Sequence, residues 1–296
     1  MTVPAIRVSD LRKTYGKTTA LAGLSFEIPA GRVTGFLGPN GAGKTTSFRS
    51  LLGLTRADSG EMEVLGFPSP QGLREITKRV GVIIEEPGLI RALTGRVNLL
   101  VAADTLGFGH DRVDGLLEFV GMTADADRRV SEYSKGMRQR LALAAAMLGD
   151  PDLLILDEPL DGLDPAGQHV FKARLRGLAD EGKTVVVSSH NLSDIEALAD
   201  YVVVIDRGRL VTQGPLAPLL DGGGTRVEVA EIDRALGVLT NAGLSVNRVD
   251  DHLQVDTDDG SAIVRALADA GIYPSLVAPA RSSLEQVFLG LTGDAS

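Results

Sequence analysis

Short runs of β-branched and aliphatic residues alternate along this chain with longer stretches in which apolar positions recur every three or four residues. The alternation predicts an α/β fold with parallel strands. Strands are expected at RVTGFLG (Arg32 to Gly38), LLILD (Leu153 to Asp157), TVVVSSH (Thr184 to His190) and YVVVID (Tyr201 to Asp206). An unbroken apolar run such as LLIL suits a strand covered on both faces. From about Glu85 to Gly149 the pattern turns to helices and turns, predicting a helical insert beside the sheet. Three consecutive glycines, Gly222 to Gly224, follow two prolines and predict a flexible joint. Beyond them TRVEVA, IDRALGVLTNAG, HLQVDT, SAIVRALADAG and YPSLVA alternate strand and helix patterns, the mark of a small α+β domain with a trace of internal duplication. The expected division is 1–218, with its helical part at about 85–149, and 219–296.

Composition narrows the function classes. The 296 residues are 44% apolar and 23% charged, an ordinary globular balance with a sizeable core. A net charge of −9 argues against non-specific nucleic-acid binding, which needs Lys and Arg to replace counterions along phosphates. Cysteine is absent, which excludes disulfides and thiol chemistry and fits a reducing compartment. The longest apolar runs, LALAAAML and YVVVI, fall far short of the ~20 residues that span a bilayer. MTVPAIRVSDLRKTYG has no apolar signal core, so a cytosolic chain is expected, with any membrane connection made through a partner.

GPNGAGKTT carries the first chemistry. Gly38, Gly43, Lys44 and Thr45 fall at the spacing of a phosphate-binding loop between an expected strand and an expected helix. The loop Gly38, Pro39, Asn40, Gly41, Ala42, Gly43 turns backbone N–H groups toward one phosphate, since a Cβ at the glycines would block the approach. Lys44 supplies a cation for the β and γ phosphates, and Thr45 a hydroxyl for Mg²⁺. Together with Thr46 they open a helix whose N-terminus favours an anion. Such a loop alone serves many machines. LLILDEP adds Asp157 at the end of a buried strand, able to hold the water shell of Mg²⁺, and Glu158, able to polarise the water that attacks the γ phosphate. Adjacent Asp and Glu argue against a kinase, whose acceptor is not water.

YSKGMRQRLALAAAML (Tyr133 to Leu148) decides among the machines. Ser134 can cap a helix, and Met137, Leu141, Ala144, Ala145 and Leu148 fall on one face at helical spacing. Lying directly before DPDLLILDEP, the segment resembles the signature of the ATP-binding subunits of ABC transporters, usually Leu-Ser-Gly-Gly-Gln. Here it reads Tyr133-Ser134-Lys135-Gly136-Met137 and departs at the first, third and fifth positions. Ser134 and Gly136, the two that face phosphate in that family, are kept. The resemblance runs from the N-terminus to about Pro215, with motifs in the family's order.

The resemblance implies an α/β, P-loop NTPase (RecA-like) parallel sheet core with a helical subdomain and a small C-terminal α+β domain. It implies ATP hydrolysis with ATP and Mg²⁺ as cofactors. By the same resemblance Tyr15 in LRKTYG stacks on adenine, Leu163 and Asp164 of DGLDP touch a facing subunit, and His190 lies near the γ phosphate. Where the family has a Gln that contacts Mg²⁺ and the attacking water, this chain has Glu85, in VGVIIEEPGL. A Glu there keeps the reach and the metal affinity but adds negative charge beside a polyphosphate. IEEPG is similar to the exporter branch that protects bacteria from bacitracin and lantibiotics. SSLEQVFLGLTG (Ser282 to Gly293) resembles the closing segment of that branch, a docking or stabilising helix with Leu284, Val287, Phe288 and Leu291 as its apolar stripe.

The family implies ATP held between two such domains, head to tail, as a homodimer or heterodimer. A separate transmembrane permease docks on the segment from Glu85 through PGLIRALTGRVN, and the chain works at the cytoplasmic face of the membrane without nucleic acid. The alternative is a soluble ATPase switch of the same fold acting in translation or DNA repair. Members of those groups carry two ATPase domains or a long coiled-coil insertion, and the sequence has neither.

Overall fold

The computed structural model describes residues 3–84 and 88–292, with the side chains of the last two set aside. Glu85 and the side chain of Leu291 thus fall outside the described residues. The chain divides into two compact units, Met1–Leu216 and Ala217–Ser296.

The first unit opens with a feature the strand pattern did not predict. β1 (Pro4–Tyr15) and β2 (Thr18–Pro29) form a long antiparallel hairpin. β3 (Val33–Leu37) follows, then the phosphate-loop segment and α1 (Lys44–Leu51). β4 (Ser59–Val64) and β5 (Phe67–Ser69) return to the hairpin and complete an antiparallel sheet of order β2-β1-β4-β5. α2 (Leu73–Ile76) leads to β6 (Val80–Ile83), after which come α3 (Gly95–Leu106), α4 (Val113–Phe119) and α5 (Lys135–Ala146). The chain then re-enters the main sheet as β7 (Leu153–Leu156), α6 (Pro165–Asp180), β8 (Thr184–Ser189), α7 (Leu192–Glu196), β9 (Tyr201–Asp206) and β10 (Arg209–Pro215).

The main sheet has the order β10-β9-β3-β8-β7-β6, parallel throughout except for the β9–β10 hairpin. Every residue of β3, β7 and β8 is buried, which accounts for the unbroken apolar run LLIL of β7. Phe36 of β3 stacks between Phe26 of the hairpin and Phe48 of α1, each ring 5.1 Å from it. These rings fuse the antiparallel sheet, the central strand and the first helix into one core. That core fixes the loop between β3 and α1.

In the second unit α8 (Leu216–Leu219) precedes β11 (Asp221–Glu228), α9 (Ile232–Asn241), β12 (Val246–Val249), β13 (His252–Val255), α10 (Gly260–Asp269), β14 (Leu276–Arg281) and α11 (Leu284–Thr292). The sheet order β12-β13-β11-β14 with all neighbours antiparallel is the split βαβ arrangement of ferredoxin-like folds. Its two βαβ halves account for the repeated strand and helix patterns in the sequence. Ala235 and Leu239 of α9 and Ile263 and Leu267 of α10 are buried with Val227, Leu253 and Val255 of the sheet.

Two expectations are corrected here. Gly222 to Gly224 are not a flexible joint but part of β11, where the register slips between Asp221 and Thr225. Gly224, at φ +77°, lies so close to Val255 O that a Cβ would fall 2.1 Å from it, and Gln254 Nε2 donates to Gly222 O at 2.8 Å. The glycines serve a bulge at close backbone approach. α5 is also less one-sided than its spacing implied: Gln139 and Leu141 to Ala144 are all buried, and Leu148 lies past the helix end.

Candidate active site

Parallel pairing brings the C-terminal ends of β3, β8 and β7 side by side, with Leu37 opposite Ser189 and Leu156 opposite Val187. Ligands of open α/β sheets bind at such ends. The loop Gly38–Gly43 leaves β3, Asp157 and Glu158 follow β7, and His190 follows β8. Residues far apart in sequence thus converge because their strands are neighbours.

The phosphate loop is shaped as its sequence requires. Gly43 adopts φ +107°, with a would-be Cβ 2.7 Å from Ala20 O, while Gly38 leaves a would-be Cβ only 2.4 Å from Ile205 O. Gly41, at φ +83°, faces open space. Ala42 N donates to Pro39 O, and Ala42 O accepts from Gly208 N, so the loop is tied both to itself and to the β9–β10 turn. Pro39, Asn40 and Gly41 lie at its rim, all three exposed, and Thr46 is half-buried in the first turn of α1.

Lys44 is 7% exposed and curls back over the loop, donating to Gly38 O at 2.7 Å. Its Nζ also lies 3.4 Å from Glu158 Oε1. Thr45 Oγ1 donates to Asp157 Oδ2 at 2.6 Å. Glu158 Oε2 lies 3.0 Å from His190 Nδ1, and His190 is half-exposed on its solvent side. Lys44, Thr45, Asp157, Glu158 and His190 therefore form one contiguous network. Thr45 and Asp157 offer hard oxygen donors of the type Mg²⁺ takes, which fits a metal held beside the phosphates.

One member of this network carries no motif of its own. Ser188, fully buried in β8, donates to Asp157 Oδ1 at 2.5 Å and accepts from Glu158 N at 2.9 Å. It stands in SSH, but only strand pairing reveals that its hydroxyl faces the neighbouring strand end.

Other expected site residues stand apart from the network. Ser134 caps α5, accepting from Met137 N at 3.2 Å, and no hydrogen bond or ion pair among the described residues joins it to the phosphate loop. Gly136 packs under Leu163, whose Cδ2 would lie 2.9 Å from a Cβ there. Asp164 caps α6 by accepting from Gly167 N at 3.0 Å. Tyr15 ends β1 half-exposed, with Lys13 Nζ 5.2 Å from its ring centroid. Lys13 and Thr14 N both donate to Asp58, whose carboxyl is held below its usual range chiefly by Lys13 and then by the Thr14 amide.

The unusual signature also finds its physical reason. Tyr133 is buried, donates to Asp125 O at 2.6 Å, and fills the space beside Gly95, where a Cβ would lie 2.4 Å from its hydroxyl. Burial pushes its phenol upward, with the Asp125 charge adding to the shift. The stem of Lys135 lies over Gly162, 2.4 Å from where a Cβ would be.

Comparison with known proteins agrees with this geometry. The profile of the ABC transporter family matches residues 21–161. The bacitracin transport ATP-binding protein BcrA of Bacillus licheniformis is 42% identical over 71% of this chain and 69% of its own. The daunorubicin resistance ATP-binding protein DrrA3 of Streptomyces coeruleorubidus is 37% identical over 98% of this chain and 96% of its own. A solved ATP-binding subunit of an ABC transporter superposes with a TM-score of 0.66 at 28% identity, covering 73% of this chain and 91% of that one. The fold expected from the sequence, a P-loop NTPase core with a parallel sheet, is the fold observed. The chain belongs to the ABC transporter family, as one of its ATP-binding, ATP-hydrolysing subunits.

Proposed function

We propose that this chain is the motor of an exporter whose permease is a separate transmembrane chain, with an antibiotic, drug or lipid-like compound as cargo. The network joining Lys44, Thr45, Asp157, Glu158 and His190 carries this reading. Lys44 receives the β and γ phosphates, and Thr45 and Asp157 would hold Mg²⁺ and its water shell, where the ion would supply charge neutralisation for the transferring phosphoryl group. Glu158 takes the proton of the attacking water and His190 orients that carboxylate. Tyr15 stacks on the adenine, and Glu85 serves as a further metal contact. Residues 1–218 are the nucleotide-binding domain, with its helical part at about 85–149, and 219–296 an accessory domain.

Two copies, or this chain and a similar one, close on ATP head to tail. Among the described residues no hydrogen bond or ion pair joins Ser134 to the phosphate loop of its own chain, which supports an arrangement in which the α5 N-terminus meets a phosphate held by a facing subunit. Closure then rewards the triphosphate alone and relaxes after hydrolysis. Among the described residues no helix is long and apolar enough to cross a membrane, so force must reach the permease through a surface. A groove of about 530 Å³ lined by Leu54, Val82, Leu89, Ile90, Val101 and Leu106 fits that task. Leu54 and Leu106 are 66% and 57% exposed in it. Arg96, in the same segment, is engaged by Asp114 and Asp127. Docked there, the chain sits at the cytoplasmic face of the membrane.

The relatives named above are transport and resistance proteins, which favours this reading over a switch in translation or repair. The test is the mass of the purified Glu158→Gln chain by light scattering. It should double in Mg-ATP and halve again in ADP. A chain that never pairs in Mg-ATP, alone or with a permease, overturns the mechanism.

A further inference from the structure

We infer that Ser188 is a positioning residue for both carboxylates of the hydrolytic centre, a statement that rests on the roles proposed above for Asp157 and Glu158. Its single hydroxyl makes two bonds whose directions fix each other. Glu158 N–H can only donate, so Ser188 Oγ accepts there at 2.9 Å, and its proton goes to Asp157 Oδ1 at 2.5 Å. No other assignment satisfies both contacts.

Each bond sets something the chemistry needs. Asp157 has both oxygens held, Oδ2 by Thr45 and Oδ1 by Ser188. If the Thr45 hydroxyl turned from Asp157 to a bound metal, the Ser188 bond would remain to keep the carboxylate plane from turning. Supporting groups of this kind orient the residues that meet a metal. Glu158 stands at φ +47°, a left-handed backbone that glutamate rarely adopts. The hydrogen bond that the Glu158 amide donates to Ser188 secures that conformation, in which the side chain meets Lys44 and His190. Two residues further along the same strand end, His190 Nδ1 meets Glu158 Oε2. β8 thus grips Glu158 at its backbone and at its carboxylate. Ser188 is fully buried, so no water competes for these bonds.

The test separates the hydroxyl from its volume. Ser188→Thr keeps the hydroxyl and Ser188→Val has nearly the same shape as that variant without it, so any packing penalty is shared. ATP hydrolysis by the full chain in its transporter is measured against both ATP and Mg²⁺ concentration, with nucleotide binding followed by a fluorescent ATP analogue. Ser188→Val should lose about ten- to a hundredfold in kcat and require several-fold more Mg²⁺, the range seen when a group supporting a metal ligand is removed. KM for ATP should stay within about twofold, and Ser188→Thr should restore most of the rate. Equal activity in the two variants, whether high or low, overturns the inference, because the hydroxyl then contributes nothing beyond bulk. Glu158→Gln is the control: if it still hydrolyses ATP normally, the reading of the site fails, whereas its inactivity beside equal Thr and Val variants condemns Ser188 alone.

Discussion

Lys44 Nζ lies 3.4 Å from Glu158 Oε1 and 2.7 Å from Gly38 O, so the cation of the phosphate loop rests on the carboxylate that follows β7. On the proposed reading, an incoming phosphate would compete directly for Lys44 and free Glu158 to face water. The two partners should therefore fail differently. Lys44→Ala should weaken ATP binding about ten- to a hundredfold, the range for losing a hydrogen bond to a charged group. Glu158→Gln should bind ATP normally and lose about 10²–10⁴-fold in turnover. Equilibrium binding beside phosphate release distinguishes them, and an unchanged affinity in Lys44→Ala would remove the lysine from the site.

The Thr45–Asp157 bond of 2.6 Å predicts a metal-specific defect. Thr45→Val should bind ATP in EDTA much as the parent does but gain little from added Mg²⁺, while Thr45→Ser keeps the gain. Titrating Mg²⁺ against bound nucleotide reads this out. Parallel curves for Thr45→Val and the parent would sink the assignment.

Asp58 ties down the end of β1 that bears Tyr15. Its folded carboxyl is held below the ordinary 3.8, so it stabilises the fold above that value, and the contribution disappears as pH falls through the lower folded value. Thermal melts should show Asp58→Asn less stable than the parent at neutral pH, with the gap closing in acid below pH 3.8. ATP affinity should fall with it, through looser seating of Tyr15. A gap constant down to acid would assign the effect to something other than this carboxylate.

Tyr133 and Gly95 should be coupled, since a Cβ on Gly95 would lie 2.4 Å from the tyrosine hydroxyl. Gly95→Ala should destabilise the parent by about 1–3 kcal/mol, as overpacking does. In a Tyr133→Leu background, which also forfeits the bond to Asp125 O, the same change should be nearly neutral. Denaturant melts of the four proteins give the coupling. Simple additivity would mean that the tyrosine moves aside freely.

The exposed groove beside α3 should matter to transport and not to hydrolysis. Leu54→Glu or Leu106→Glu places a charge on a half-exposed apolar rim without touching the core. Basal ATP hydrolysis by the chain should persist while co-purification with a permease and substrate efflux fall together. Retained efflux would move the coupling surface elsewhere.

Part of the candidate network is legible in the sequence, because Gly38 to Thr45 and then Asp157 and Glu158 stand at short, fixed spacing beside apolar strands. Whatever depends on pairing is not. The β1–β2 hairpin has no strong strand pattern, since its half-exposed residues mix with polar ones. Ser188 is one more small residue in a strand until β8 is laid beside β7. The glycines of β11 read as a hinge because local sequence cannot distinguish freedom from crowding; Val255 O, brought in by strand pairing from far along the chain, decides it. Asp164 likewise has a part within its own chain that the motif does not display: it caps α6.

β6 and β7 are immediate parallel neighbours, yet everything from α3 to α5 is strung between them. That excursion leaves the sheet after Ile83 and re-enters at Leu153, opposite Val80, so it runs back along the full length of the strands before β7 begins. Insertions between those two points can be absorbed without moving β7, whose register is set by β6 on one side and β8 on the other.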